Sequence, residues 1–254
     1  MIEIKKIQDI EDYKQLAQVQ KSAWGFDDIE IEPPHIMTRI QKYGGLIQGL
    51  FHGSEMVAFT EAIIGKWQGE YFIYSHMAAV KKEYQGRGFG FLLKKAQGEE
   101  VLKMGYRLMR WSFDPLESQN SFFNIHRLGV VSREYERNAY GMVESGLHEG
   151  LPTDRLIASW ELDSGRVKKR LEEKLPKQIE AVPPASLDSF VGPVAYIEIP
   201  RDIRSLKKVD MKKAREWRMR TRELFEFAFK KGYNAEEIVF SEDKKRIFYK
   251  LVCY

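Results

Sequence analysis

The turn Gln85-Gly86-Arg87-Gly88-Phe89-Gly90 follows a strand-like run directly and leads straight into an amphipathic stretch, which leaves few folds open to this chain. A helix N-terminus placed directly after a strand exposes unpaired N–H groups and a partial positive charge, and glycines let a phosphate approach them closely. Residues 80–97 therefore read as an anion cradle. A triphosphate-binding P-loop needs Lys-Ser or Lys-Thr after its last glycine, whereas Phe91 follows Gly90. A dinucleotide fingerprint spaces its glycines Gly-x-Gly-x-x-Gly on the first strand of the fold, whereas Gly86, Gly88 and Gly90 alternate after a later one. Both of those sites are excluded.

Size and composition narrow the setting. A chain of 254 residues suits one main domain with an appendage, and 43% hydrophobic with 13% aromatic residues supply a packed core. The single cysteine, Cys253, excludes an internal disulfide framework and a cysteine-rich zinc site and fits a reducing cytosol; no metal is expected. The first residues lack the apolar core of a signal peptide and no run of eighteen apolar residues follows, so a soluble cytoplasmic protein is expected, with no membrane partner. The net charge of +4 suits nucleic acid but also a small anionic ligand. Nucleic acid ranks lowest as a partner, because the basic residues are interspersed with acids and no aromatic readout motif is present.

Hydrophobic spacing predicts a strand over 3–7, a helix opened by Asp9, a second helix over 35–43, and strands over 46–51 and 56–64 joined by a tight hairpin at 52–55. A longer strand over 71–80 alternates so that Phe72, Tyr74, His76, Ala78 and Val80 share a face. Past the glycines, Phe89, Leu92, Leu93, Ala96, Val101 and Met104 recur near helical spacing until Gly105, and a strand over 107–113 then implies a parallel pair. A helix over 118–128 and a strand over 155–162 complete the first part. Residues 163–190, rich in lysine, glutamate and proline, with Pro176 and Pro183-Pro184 as breakers, read as a linker. Beyond them come a strand over 194–199, a long helix over 211–231 and strands over 236–240 and 246–252. The expected division is 1–162 as the main domain, 163–190 as linker, and 191–254 as a smaller C-terminal α/β extension.

The six residues Gln85 to Gly90 match, at every fixed position, the acyl-CoA-binding loop of the GNAT (GCN5-related N-acetyltransferase) superfamily: Arg or Gln, two variable residues, Gly, one variable residue, Gly or Ala. The element order over 1–162 is similar to that superfamily too. The resemblance implies an α/β fold with a mixed central sheet whose parallel strands splay, and an acyl donor, acetyl-CoA or succinyl-CoA, lying in the gap. It implies pantetheine contacts to the backbone near Ala78 and Val80, diphosphate on the amides of Gln85, Gly86, Arg87, Gly88, Phe89 and Gly90, a charge-assisted contact from Arg87, and a further contact from Asn120. Most relatives carry a tyrosine seven residues after that asparagine as proton donor; Arg127 stands there, preceded by His126. The stretches FDPLESQNSFFNIHRLG and GLPTDRLIASWEL, with the C-terminal region, resemble an extended GNAT branch, some of whose members are associated with N-succinylation of amino acids.

Acyl transfer from a thioester to an amine needs a neutral amine, a stabilised oxyanion and a protonated leaving thiolate. His76 is the favoured base, since its pKa suits proton removal near neutrality, and Glu61 competes for the role. Tyr140 is the first choice of acid and His126 the second. Trp111 and Asp114, at or beyond the end of a parallel strand, are candidates for the acceptor pocket. Arg215, Arg218 and Arg222 recur as one basic stripe opposite the apolar side of the long helix, so Arg218 and Arg222 are candidates to hold a substrate carboxylate. The leading function is an acyl-CoA-dependent N-acyltransferase acting on a small-molecule amine such as an amino acid. The alternatives are a protein- or RNA-linked amine as acceptor, or a module that binds acyl-CoA without chemistry. Exposed strand edges leave pairing into a homodimer open.

Overall fold

A computed structural model describes residues 1–141, 150–180 and 190–254. The backbone falls into two compact units, Met1–Trp111 and Ser112–Tyr254, a division different from the one read along the sequence.

In the first unit, β1 (Ile2–Lys6), β2 (Leu46–His52), β3 (Glu55–Trp67) and β4 (Glu70–Val80) form an antiparallel sheet in that order, and β5 (Leu108–Phe113) joins β4 in parallel. Adjacent residues of a strand point to opposite faces, and here the two faces have separate cores. Phe59 packs with Tyr13, Leu16 and Val19 of α1 (Ile10–Trp24) and Met37 of α2 (Pro34–Lys42). Ala58 packs with Leu93 of α3 (Phe89–Lys103) on the other face. Asp9 caps α1 as its sequence position implies, its Oδ1 accepting from the Glu11 amide at 2.8 Å. A long connection ending at Pro33 joins α1 to α2. Gln20 on α1, fully buried, holds it by accepting from the Glu32 amide at 3.0 Å and donating to the Glu32 carbonyl at 3.5 Å.

The second unit contains a sheet in the order β7 (Arg155–Glu161), β6 (Val131–Glu136), β9 (Asn234–Phe240), β10 (Ile247–Val252) and β8 (Val194–Ile199). The C-terminal strands thus complete this sheet. Helix α7 (Met211–Lys230) covers it through Phe225, whose ring lies 5.0 Å from Tyr249 and 5.8 Å from Tyr135. The expected helix over 118–128 is α4 (Ser118–Ser121) continued by a π-helical turn, Phe122–Arg127.

Three elements depart from expectation. Strand β6 is polar along most of its length, so its central place between β7 and β9 left no alternation to detect. The linker contains α5 (Gly165–Leu171), started by Ser164 and anchored by buried Val167 and Arg170; the Pro183-Pro184 breaker lies outside the described residues. Helix α6 (Ile203–Val209), capped by Asp202, buries only Ile203, too little to leave a periodic signal. Among the described residues no helix is long and apolar enough to cross a membrane.

Candidate functional site

After β4 a single 3-10 turn, Lys82–Tyr84, leads to the glycines. Gly86 and Gly88 have φ of 76° and 82°, a region that costs an L side chain roughly 1–2 kcal/mol, so these two glycines are dictated by the backbone. A Cβ added at either would meet nothing within 4 Å, so the space in front of the turn is open. Gly88 is the N-cap of α3 and offers no side-chain capping bond. Its carbonyl accepts from the Phe91 and Leu92 amides at 3.0 and 3.1 Å, while the amides of Phe89 and Gly90 belong to the first turn, which has no carbonyl behind it. That is the donor set a diphosphate needs. Gln85 departs from expectation: its amide is committed to the Lys82 carbonyl at 3.2 Å and its side chain donates to the Val80 carbonyl at 3.0 Å. It braces the loop, and the amides aimed at an anion begin after it.

The loop is braced on its other side as well. Glu55 takes a hydrogen bond from Tyr84 Oη at 3.0 Å and an ion pair from Lys81 at 2.5 Å. The Arg87 guanidinium lies over the Tyr84 ring at 5.1 Å, and Tyr84 stacks on Phe89. Arg87 is thereby held at the turn.

Strands β4 and β5 pair only at Ile73 with Met109 and Tyr74 with Arg110, and β4 then runs on to Val80. Just past the split, a register shift opposite Glu61 and Ala62 leaves His76 as an extra, unpaired residue on β4. One extra residue reverses the faces: Ser75 reaches Lys94 and Gln97 on α3, and Val80, five residues on, packs in the same α3-side core. Hence His76 does not share the register of Ala78 and Val80, contrary to the simple alternation.

The bulge carries His76 towards Glu32, its Nε2 lying 3.3 Å from Glu32 Oε2. Glu61, on the neighbouring strand, is fully buried and neither of its carboxylate oxygens receives a hydrogen bond. Burial pushes the Glu61 carboxyl up to about 7, the nearby Glu32 carboxylate adding to the rise and His76 opposing it. The Glu32 contact raises the His76 imidazole above its ordinary value against the pull of burial, and Glu61 adds to the rise. His76 and Glu61, competing candidates in the sequence, belong to one cluster in which each acts on the other's proton, beside the Glu32 carboxylate. With 43% of its side chain exposed, His76 is the member most open to solvent. Glu32→Gln is expected to lower the His76 titration midpoint, followed through its ring resonances by NMR; an unmoved midpoint would separate the two residues.

The remaining candidates lie in the second unit, apart from Trp111. The His126 ring is fully buried, with Nδ1–H donating to Glu237 at 2.6 Å and Nε2 accepting from Gln178 at 2.7 Å. Both nitrogens are occupied in a core network that includes Arg170, so His126 is corrected from proton donor to structural residue. Tyr140 is exposed and shares a 2.7 Å hydrogen bond with Ser112, the Arg155 guanidinium lying over its ring. Asn120 is exposed, and its Oδ1 accepts from Asn124 at 3.3 Å.

Arg218 is not on a solvated stripe. It is 1% exposed and donates to Asp114 at 2.5 Å, while Asp114 also caps the Asp-Pro turn through the Leu116 amide at 2.8 Å. Arg222 makes a two-pronged contact with fully buried Asp154, at 2.8 Å on each prong. Asp114, Arg218 and Arg222 thus have partners within the chain, while Nε and Nη1 of Arg218 are buried without a hydrogen-bond partner. Trp111 is 8% exposed and lies against Lys94 in the first unit, not on an open pocket wall.

Glu32, Gln20 and Lys94 were not singled out by sequence. For Lys94 a signal existed, a charged residue on the apolar face of the helix; Glu32 gave none, because a long connection brings it to the strand.

No protein-family model matches the sequence, and no curated protein matches it. Among solved structures, a protein assigned to the GNAT acetyltransferases from Desulfovibrio desulfuricans aligns over 64% of this chain and 99% of its own, at 14% identity and a TM-score of 0.51. One assigned as an acetyltransferase from Salmonella typhimurium, solved with acetyl-CoA, aligns over 64% and 95%, at 15% identity and a TM-score of 0.51. The ribosomal-protein-S18-alanine N-acetyltransferase of Escherichia coli aligns over 65% and 96%, at 18% identity and a TM-score of 0.50. What is shared at these identities is the fold.

Proposed function

We infer from the GNAT fold of this chain that it is an N-acyltransferase, taking an acetyl or succinyl group from coenzyme A and passing it to a small amine such as an amino acid. The observation that carries this reading is an uncapped helix N-terminus behind two left-handed glycines, beside a strand that parts from its parallel neighbour after Tyr74. The acyltransferase part is read as residues 1–162, from the order of strands and helices along the sequence.

The donor set fits coenzyme A. The amides of the Gly86–Gly90 turn would hold its diphosphate with Arg87 adding charge, and Ala78, an exposed residue of β4, would face the pantetheine arm. Coenzyme A supplies the acyl group on a thiol of pKa roughly 8.5, a fair leaving group once protonated. His76 takes the proton of the attacking amine, and Glu61 and Glu32 share the resulting charge. The bulge leaves the His76 main chain outside the β3 ladder, where its N–H can serve the tetrahedral oxyanion.

Release of free thiol from acetyl-CoA and from succinyl-CoA, against a panel of D- and L-amino acids, is expected to show turnover above hydrolysis. Turnover confined to a protein or RNA fraction would move the acceptor to a macromolecular amine. Tight binding of acetyl-CoA without thiol release from any amine would leave a binding module in place of an enzyme.

A further inference from the structure

Lys94 is a cation placed where a core usually takes an aliphatic side chain. It lies on the sheet-facing side of α3 with Leu93, Gln97 and Val101, and is 3% exposed. Six residues separate it from Gly88, about 9 Å along the helix axis from the anion-binding turn. Its Nζ donates to Ser75 Oγ at 3.0 Å and to Gln97 Oε1 at 2.7 Å, and lies 4.1 Å from the centre of the Trp111 ring. Ser75 and Trp111 are the residues that directly follow the last paired residues of β4 and β5, Tyr74 and Arg110. The ammonium thus sits where the two strands part, faced by a hydroxyl from β4, an amide from its own helix and an indole from β5. Taking an ammonium out of water costs several kcal/mol, and a methionine would fill the same volume without that cost.

We propose that Lys94 is the proton donor to the departing coenzyme A thiolate. This rests on the acyltransferase reading above. An arm that leaves the glycine turn and follows β4 back from Val80 to Ser75 spans roughly 17 Å of strand, within reach of an extended pantetheine chain. Its sulfur then arrives at the junction that Lys94 occupies. In the step, the amine nitrogen bonds to the carbonyl carbon and the carbon–sulfur bond breaks with its electron pair on sulfur. The sulfur takes a proton from the Lys94 ammonium, the His76 cluster takes the proton shed by the amine, and Lys94 regains one from water. Nothing is oxidised or reduced.

The test compares wild type, Lys94→Met, Lys94→Arg and Tyr140→Phe in the thiol-release assay from pH 5.5 to 9.5. Isothermal titration with coenzyme A serves as a separate readout. Burial pushes Lys94 down to about 7, so the wild-type rate is expected to fall on the alkaline side as this proton is lost. Lys94→Met and Lys94→Arg should both lose that limb, and Lys94→Met should drop kcat/KM roughly 100-fold with coenzyme A affinity within about threefold of wild type. Lys94→Met should also unfold at a higher temperature, which separates a proton-transfer role from packing. Wild-type turnover with the alkaline limb kept in Lys94→Met would overturn the proposal, as would its loss in Tyr140→Phe alone. A wild-type chain that binds acetyl-CoA without turnover removes the acyltransferase reading and this inference together.

Discussion

Glu61→Gln is expected to flatten the dependence of stability on pH. The Glu61 carboxyl is raised in the folded chain from 4.5 to about 7, chiefly by burial, so between those values the folded state holds a proton that the unfolded state has released. The stabilisation from that proton is complete below 4.5 and is lost as pH rises through 7. Over that window wild type should lose about 3 kcal/mol relative to Glu61→Gln. Urea unfolding of both proteins at pH 5, 6, 7 and 8 measures this directly, and parallel stability curves would refute it. The same substitution removes the acceptor that shares charge with His76, so acyl transfer should fall roughly 100-fold and its rise with pH should shift. Catalysis and stability are expected to move in opposite directions above pH 7, because an uncompensated buried carboxylate harms the fold while poising the site.

Gly88→Val should weaken coenzyme A binding at least tenfold. The substitution puts a β-branched residue at a φ of 82°, which forces the turn to relax away from the geometry that aims the first-turn amides outward. The new side chain meets open space, so the unit should still fold, with a loss on the order of 1–2 kcal/mol. Gly105→Val is the control: Gly105 has a φ of 90°, equally open surroundings, and a place just beyond the far end of α3. Titration calorimetry should show weak binding for Gly88→Val and wild-type affinity for Gly105→Val. Equal affinity for all three would mean that the diphosphate is held elsewhere.

Much of the first unit was legible because its signals are local. Asp9 before an apolar run, the hairpin at 52–55 and glycines after a strand each act within a few residues, and each element formed within a few residues of its expected bounds. The candidate site was legible only in part. The bulge at His76 depends on how β4 pairs with β3, and a strand's own alternation carries no record of a register shift in its ladder. Glu32 reaches His76 from a long connection that Gln20 holds, a contact between residues 44 positions apart. In the second unit, a basic stripe placed opposite the apolar side of the long helix proved to be partly core, because Asp114 and Asp154 supply the charges that allow Arg218 and Arg222 to be buried.

By itself the sequence determined the succession of strands and helices and the anion-binding turn, since helix starts, alternation and left-handed glycines are properties of short stretches of chain. Only the tertiary structure decided which ionisable groups meet. Desolvation and charge pairing act through space, and they made an interacting pair of Glu61 and His76 beside the Glu32 carboxylate, a neutral-range amine of Lys94, and structural pairs of the arginines that had looked ready for a substrate.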